Sequence, residues 1–339
     1  MIALNEAGIK PSAADYARRY RAARAEAARM GTASRKKLVE VYIKASEEAA
    51  KVVADGLERG LSSLTIERWQ VLAVKLLDAA DLVAQGTEDV ARALVGQAAP
   101  LFPEIDADFL YSSARFTGAD RRITREGLGR LVAGLNSRVL ESMTTRLWSD
   151  GYTFSERIWG QAGIKGDWLE KIKLTVSAGI AQGRDPVKIA KDIQVYTADG
   201  KVALGKRWGT LERGTAEFAK RIPGRLDWRA QRLVRTELYS SLRDASVMSG
   251  EANPACDGLY DWVLSLGRQH WGCECEDLAA GGPYTSETIP TSPHPNCFCN
   301  ISPHLREMGA FLADLKSWAH GGSVDYLDSW YAGDYKGAP

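Results

Sequence analysis

The sequence predicts an α+β protein: a predominantly helical N-terminal region followed by a small mixed α/β module held together at a cysteine cluster. Three observations carry this. Apolar residues recur at three- to four-residue spacing through most of the first 250 positions, the period that lines one face of a helix. That period stops after Asn253-Pro254, where a run rich in β-formers begins. All five cysteines (256, 273, 275, 297, 299) and all four histidines (270, 294, 304, 320) lie beyond it.

The elements follow in order. From Ser34, read as an N-cap, the positions Leu38, Val41, Ala45, Ala49 and Val52 form one helical face, with Gly60 as its stop. A second helix is expected over residues 65–85, and Thr87 caps a third that runs to Ala98 and stops at Pro100 and Pro103. After an irregular stretch around 116–122, Leu128 to Trp148 is helical, with Leu131, Leu135, Val139, Met143 and Leu147 aligned. Trp148, Trp159 and Trp168 mark a shorter aromatic connection. The stripe Leu169, Ile172, Val176, Ile180 ends at Gly183, and Asp185-Pro186 opens the next helix. Residues 197–226, with five glycines, read as a loop. Asp227 then caps a helix to Ser249, with Val234, Leu238, Ser241, Leu242 and Ala245 inward. Residues 259–264 read as a strand leading to a turn at Gly267. The expected partition is 1–160, 161–305 and a C-terminal helix and tail, 306–339.

Composition narrows the class. The 339 residues are 45% hydrophobic and 26% charged, which excludes a disordered chain, a collagen-like repeat and a disulfide miniprotein. No apolar run approaches the roughly 20 residues of a membrane span. The start, MIALNEAGIK, has no basic stretch followed by an apolar one, so a cytosolic origin is expected. The net charge of +1 is a cancellation: residues 201–250 carry +6 and residues 251–339 carry −8.

On the 227–249 helix, Arg235 and Glu237 fall on opposite flanks of the apolar stripe at 100° per residue. They cannot pair with each other. Either both snorkel at the flanks, or they are ion-pair candidates that tie this helix to the next module.

The chemistry is concentrated in Cys273-Glu-Cys275 and His294-Pro-Asn-Cys297-Phe-Cys299. In an extended segment residues i and i+2 point to one face, so each pair can offer two thiolates to one ion. Zinc takes four N or S ligands tetrahedrally and supplies folding energy that a turn-rich segment lacks. The expected cofactor is therefore one structural zinc drawn from Cys273, Cys275, His294, Cys297 and Cys299, with His294 or His270 free to replace a thiol. An odd cysteine count and a cytosolic start disfavour disulfides. Reduced, buried cysteines packing as small hydrophobes are the blander alternative, and Cys256, apart from the cluster, reads that way. No catalytic residue is assigned. The H-x-E motif of zinc deaminases, H-E-x-x-H, a P-loop, G-x-S-x-G and G-x-G-x-x-G are all absent from the sequence.

From residue 235 onward the chain resembles the Mu F-like minor head proteins of tailed bacteriophages, the phage head morphogenesis family. The resemblance rests on Arg235-Thr236-Glu237 in a helix, Trp262 on a strand, Cys275-Glu-Asp-Leu278-Ala-Ala-Gly281, and Pro293-His294-Pro295-Asn296-Cys297-Phe298-Cys299. A similar helix ending in Gly179-Ile180-Ala181-Gln182-Gly183 precedes them, so residues 165–303 are covered. Phe298 stands where the family carries Arg, and Gly272 stands where many relatives have the first cysteine. The resemblance implies Cys275, Cys297 and Cys299 as ligands, with Cys273 and His294 competing for the fourth place. It also implies a non-enzymatic virion protein inside the head near the portal vertex, found in the host cytoplasm during assembly. Such a protein binds the portal oligomer, with major capsid or scaffolding protein and packaged DNA as further expected contacts and no membrane, and acts in head assembly and DNA packaging or retention. Two other readings stand beside it: a nuclease or effector toxin linked to a Mu F-like module, and a zinc-stapled DNA-binding protein, for which the basic 201–250 segment would supply phosphate contacts.

Overall fold

The structure is a computed structural model that describes residues 10–58, 66–148, 150–181, 225–265, 274–291, 294 and 297–337. The described residues are α+β and mostly helical, with a small three-stranded sheet near the C-terminus. The helices are α1 (Ala13–Glu58), α2 (Ile66–Ala98), α3 (Leu101–Thr117), α4 (Arg125–Thr145), α5 (Phe154–Trp159), α6 (Ile164–Ala181) and α7 (Arg225–Glu251). Strand β1 (Cys256–Val263), helix α8 (Cys275–Ala280), strands β2 (Tyr284–Thr285) and β3 (Asn300–Leu305), helices α9 (Met308–Ala319) and α10 (Asp325–Trp330), and a π-helical turn over Tyr331–Tyr335 complete the order.

Several expected caps prove to be helix interior. Ser34 does not begin a helix: α1 starts at Ala13, and the Ser34 hydroxyl donates back to the Gly31 carbonyl at 2.9 Å. The Ala- and Arg-rich stretch before it is helix-forming enough to carry the chain through Gly31. Thr87 is likewise buried inside α2, so the second and third expected helices are one. The glycine beside it has a packing role, since a Cβ on Gly86 would stand 2.5 Å from Val41 Cγ1. Pro103 does not stop a helix but sits in the first turn of α3, where a missing N–H costs nothing. Gly118, at φ +80°, ends that helix. Helix α7 begins at Arg225, two residues before Asp227. Gly60, Thr65, Asp185-Pro186, the 197–226 loop and Gly267 lie outside the described residues.

By contact the chain divides into two compact units, each discontinuous in sequence, unlike the linear partition at 160 and 305. One comprises Gly31–Arg92 and Thr145–Val234. Its core holds Leu38, Tyr42, Val53, Leu76, Val83, Ile158, Trp168, Ile172 and Val176. A Thr153–Glu156 capping box opens α5, and the Trp159 indole donates to Glu88 at 2.7 Å.

The other unit comprises Met1–Met30, Ala93–Thr144 and Arg235–Pro339. Tyr16, Tyr20, Phe102 and Phe109 pack ring to ring around the buried Asp106. That carboxylate accepts from Tyr16 Oη (2.5 Å) and Asn253 Nδ2 (3.1 Å) on one oxygen, and from Tyr20 Oη (2.9 Å) and Ser249 Oγ on the other. Cys256 lies buried close by with a free thiol, as expected of a small hydrophobe, and burial pushes that thiol up. Near the C-terminus Arg122 stacks 3.3 Å above the Trp318 ring and donates to the Trp318 carbonyl at 3.0 Å.

The sheet has the order β2-β1-β3, antiparallel throughout. Trp262 opposes Ile301 and Tyr260 opposes Pro303, with an irregularity between Cys256 and Tyr260. Gly258, at φ +86°, lies in that irregularity and supplies a conformation that other residues adopt only under strain. Pro303 is tolerated because β3 is an edge strand.

Candidate metal centre

Three segments converge beside this sheet. Cys275 opens α8, and Cys297 and Cys299 lead directly into β3. Residues 297, 299 and 301 share parity in the extended chain, and all three are buried, in one cluster with Tyr260, Trp262 and Cys275. His294 is half-buried at the approach to this segment.

Cys275 Sγ lies 3.5 Å from His294 Nε2 and 3.6 Å from Cys297 Sγ. All three potential ligand atoms fall within 4.8 Å of one another. A tetrahedral ion with Zn–S bonds of about 2.3 Å and a Zn–N bond of about 2.0–2.1 Å has S···S and S···N edges of roughly 3.8 and 3.6 Å. The two resolved edges match these within a few tenths of an ångström. The Cys275–Cys297 separation of 3.6 Å is far longer than the roughly 2.05 Å of a disulfide, so these two thiols are not bonded to each other. The cluster can hold a metal ion, and its two sulfurs and one imidazole suit a borderline-soft cation.

Of the residues expected at the site, Cys275, His294 and Cys297 form this group. Cys299 is fully buried next to Cys297 but stands outside it. Cys273 and His270 lie outside the described residues. The Cys299 thiol hydrogen-bonds to Cys297 and, with the nearby Arg243 guanidinium, draws the Cys297 thiol down to about 5. The same hydrogen bond, reinforced by burial, pushes Cys299 well up. One of the two adjacent sulfurs is thereby favoured as the thiolate, the form that ligates metals.

Helix α7 frames the site. Glu237 is fully buried rather than snorkelling, and Arg235 is half-buried. Phe298, standing where the resembled family carries Arg, packs edge-on against Tyr239 with ring centroids 4.8 Å apart. Arg243, which sequence reasoning passed over, is buried and donates from Nη1 to the Cys299 carbonyl at 3.0 Å. Ser246 Oγ donates to the Ile301 carbonyl at 2.9 Å. The available signal was the presence of Arg243 and Ser246 next to the apolar stripe, but periodicity cannot distinguish a polar flank facing water from one facing another strand.

No family model, curated protein or solved structure matches the chain. Among the described residues no helix is long and apolar enough to cross a membrane.

Proposed function

We propose that this protein is a minor head protein of a tailed bacteriophage. It associates with the portal oligomer inside the assembling head, acts in head assembly and in DNA packaging or retention, and has no enzymatic activity. The observation that carries the reading is the convergence of Cys275, His294 and Cys297. These are residues of the two motif segments that resemble the Mu F-like family, and they are 19 and 22 positions apart from Cys275. Segments so separated, beside a sheet whose β2 has only two residues, gain a cross-link that burial alone does not provide. A zinc ion on these ligands supplies that cross-link, and its binding free energy becomes folding free energy.

In this reading the metal serves shape, and the partner surface is protein. Co-expression with the portal protein of the same phage, followed by affinity capture and proteomics of purified heads, tests it. Retention on portal oligomers and recovery from heads in a few copies are expected. Failure of both capture and incorporation would overturn the assignment. Elemental analysis after chelator-free purification should give about one zinc per chain.

A further inference from the structure

We infer that Arg243 is a positioning residue of the metal centre, holding the 297–299 segment in place before an ion arrives. The inference rests on the metal reading above.

Arg243 lies in α7 with only 7% of its surface exposed. Its Nη1 donates to the Cys299 carbonyl at 3.0 Å, and its Nη2 donates to Ser240 Oγ, one helical turn back, at 3.1 Å. The guanidinium carbon is 5.9 Å from the centroid of Trp262, whose ring belongs to the same buried cluster as the three cysteines. The fork therefore fixes α7 to a backbone oxygen two residues past Cys297, and Ser246 repeats the attachment at Ile301. Just after β1, Arg24 Nη2 donates to the Leu264 carbonyl at 2.7 Å. Two guanidiniums thus hold two backbone carbonyls around the thiols.

A planar guanidinium can span two acceptors at fixed angles, whereas an ammonium on a flexible stem cannot. Its positive charge also stands beside a ligand set that brings two thiolates to a dication. Groups behind the ligands typically change metal affinity by about 10- to 100-fold when removed.

The test is zinc affinity of the full chain by chelator competition, together with the cobalt(II) charge-transfer spectrum, for wild type, Arg243→Met, Arg243→Lys and Ser240→Ala. Expected are zinc binding at least about tenfold weaker in both Arg243 variants and an altered thiolate-to-cobalt band, with α-helical circular dichroism retained. Full rescue by Lys would reduce the role to charge and overturn the positioning claim. Unchanged affinity with equal loss of stability in the zinc-free and zinc-bound protein would overturn it as well, leaving a merely structural arginine. Should Arg243→Met fail to fold, Ser240→Ala decides, because it keeps the charge and removes only one anchor: weaker zinc binding supports the inference and unchanged binding refutes it. A wild type that binds neither zinc nor cobalt would refute the metal reading itself, a result distinct from metal-binding variants that behave like wild type.

Discussion

Asp106 offers the sharpest test of how the unit containing the sheet is held. Its carboxylate is 3% exposed and accepts from Tyr16, Tyr20, Ser249 and Asn253, which belong to α1, the end of α7 and the turn after it. Asp106→Ala leaves four donors without their acceptor in a site closed to water. At about 1–3 kcal/mol for each unsatisfied buried group, the loss is about 4 kcal/mol at the low end, a large part of the roughly 5–15 kcal/mol that holds a typical domain. Asp106→Asn should behave very differently. One oxygen takes two hydroxyl donors, Tyr20 and Ser249, and a hydroxyl can rotate to accept. An amide nitrogen placed there finds two acceptors, while its oxygen keeps Tyr16 and Asn253. The expected cost is below about 1.5 kcal/mol, on the scale of one ordinary hydrogen bond.

The pH dependence separates the same two chains. Burial holds the Asp106 carboxyl above the usual aspartate range in spite of its four donors, so the folded state binds this proton more tightly than the unfolded state does. The resulting stability is fully present below the unfolded value, near pH 4, and is lost as pH rises through the higher folded value. Wild type should therefore lose stability relative to Asp106→Asn as pH climbs from about 4 toward 7. Urea denaturation followed by circular dichroism across that range measures both effects. A loss under about 1 kcal/mol for Asp106→Ala, or parallel pH profiles for wild type and Asp106→Asn, would refute the account of this carboxylate.

Three further outcomes are expected. Gly86→Ala puts a methyl group 2.5 Å from Val41 Cγ1 and should cost about 1–3 kcal/mol by overpacking; thermal melts should show partial recovery when Val41→Ala is added. Arg122→Ala removes the cation stacked on Trp318 and its bond to the Trp318 carbonyl, so limited proteolysis should cut the segment after α9 faster than in wild type. Cys297→Ser should lower both bound zinc and Tm, and chelator should lower the wild-type Tm toward that of the variant, which calorimetry with and without chelator would record.

The helical periods of the first 180 residues were legible because burial of one face imposes a fixed spacing, as the fully buried Leu38, Val139, Met143, Ile172 and Val176 illustrate. The strand after Asn253-Pro254 was legible for a similar reason: aromatic and β-branched residues replace the helical repeat. Caps were misjudged at Ser34 and Thr87, since a hydroxyl that can cap a helix can also bond back within one, and only the surrounding packing decides between the two.

At the site, the inventory of ligands could be read from local spacing. The cysteines and His294 stand close enough along the chain to name a metal cluster without any coordinates. Tertiary structure decided which of them meet: Cys275, His294 and Cys297 share one group, and Cys299 stands beside it. It also decided that Asp106 and Arg243 hold together segments far apart in the chain. The reason lies in range. Hydrophobic period and ligand spacing are properties of neighbouring residues, whereas a buried carboxylate or guanidinium is stable only where distant donors and acceptors converge on it, and the convergence of distant segments leaves no mark on local spacing.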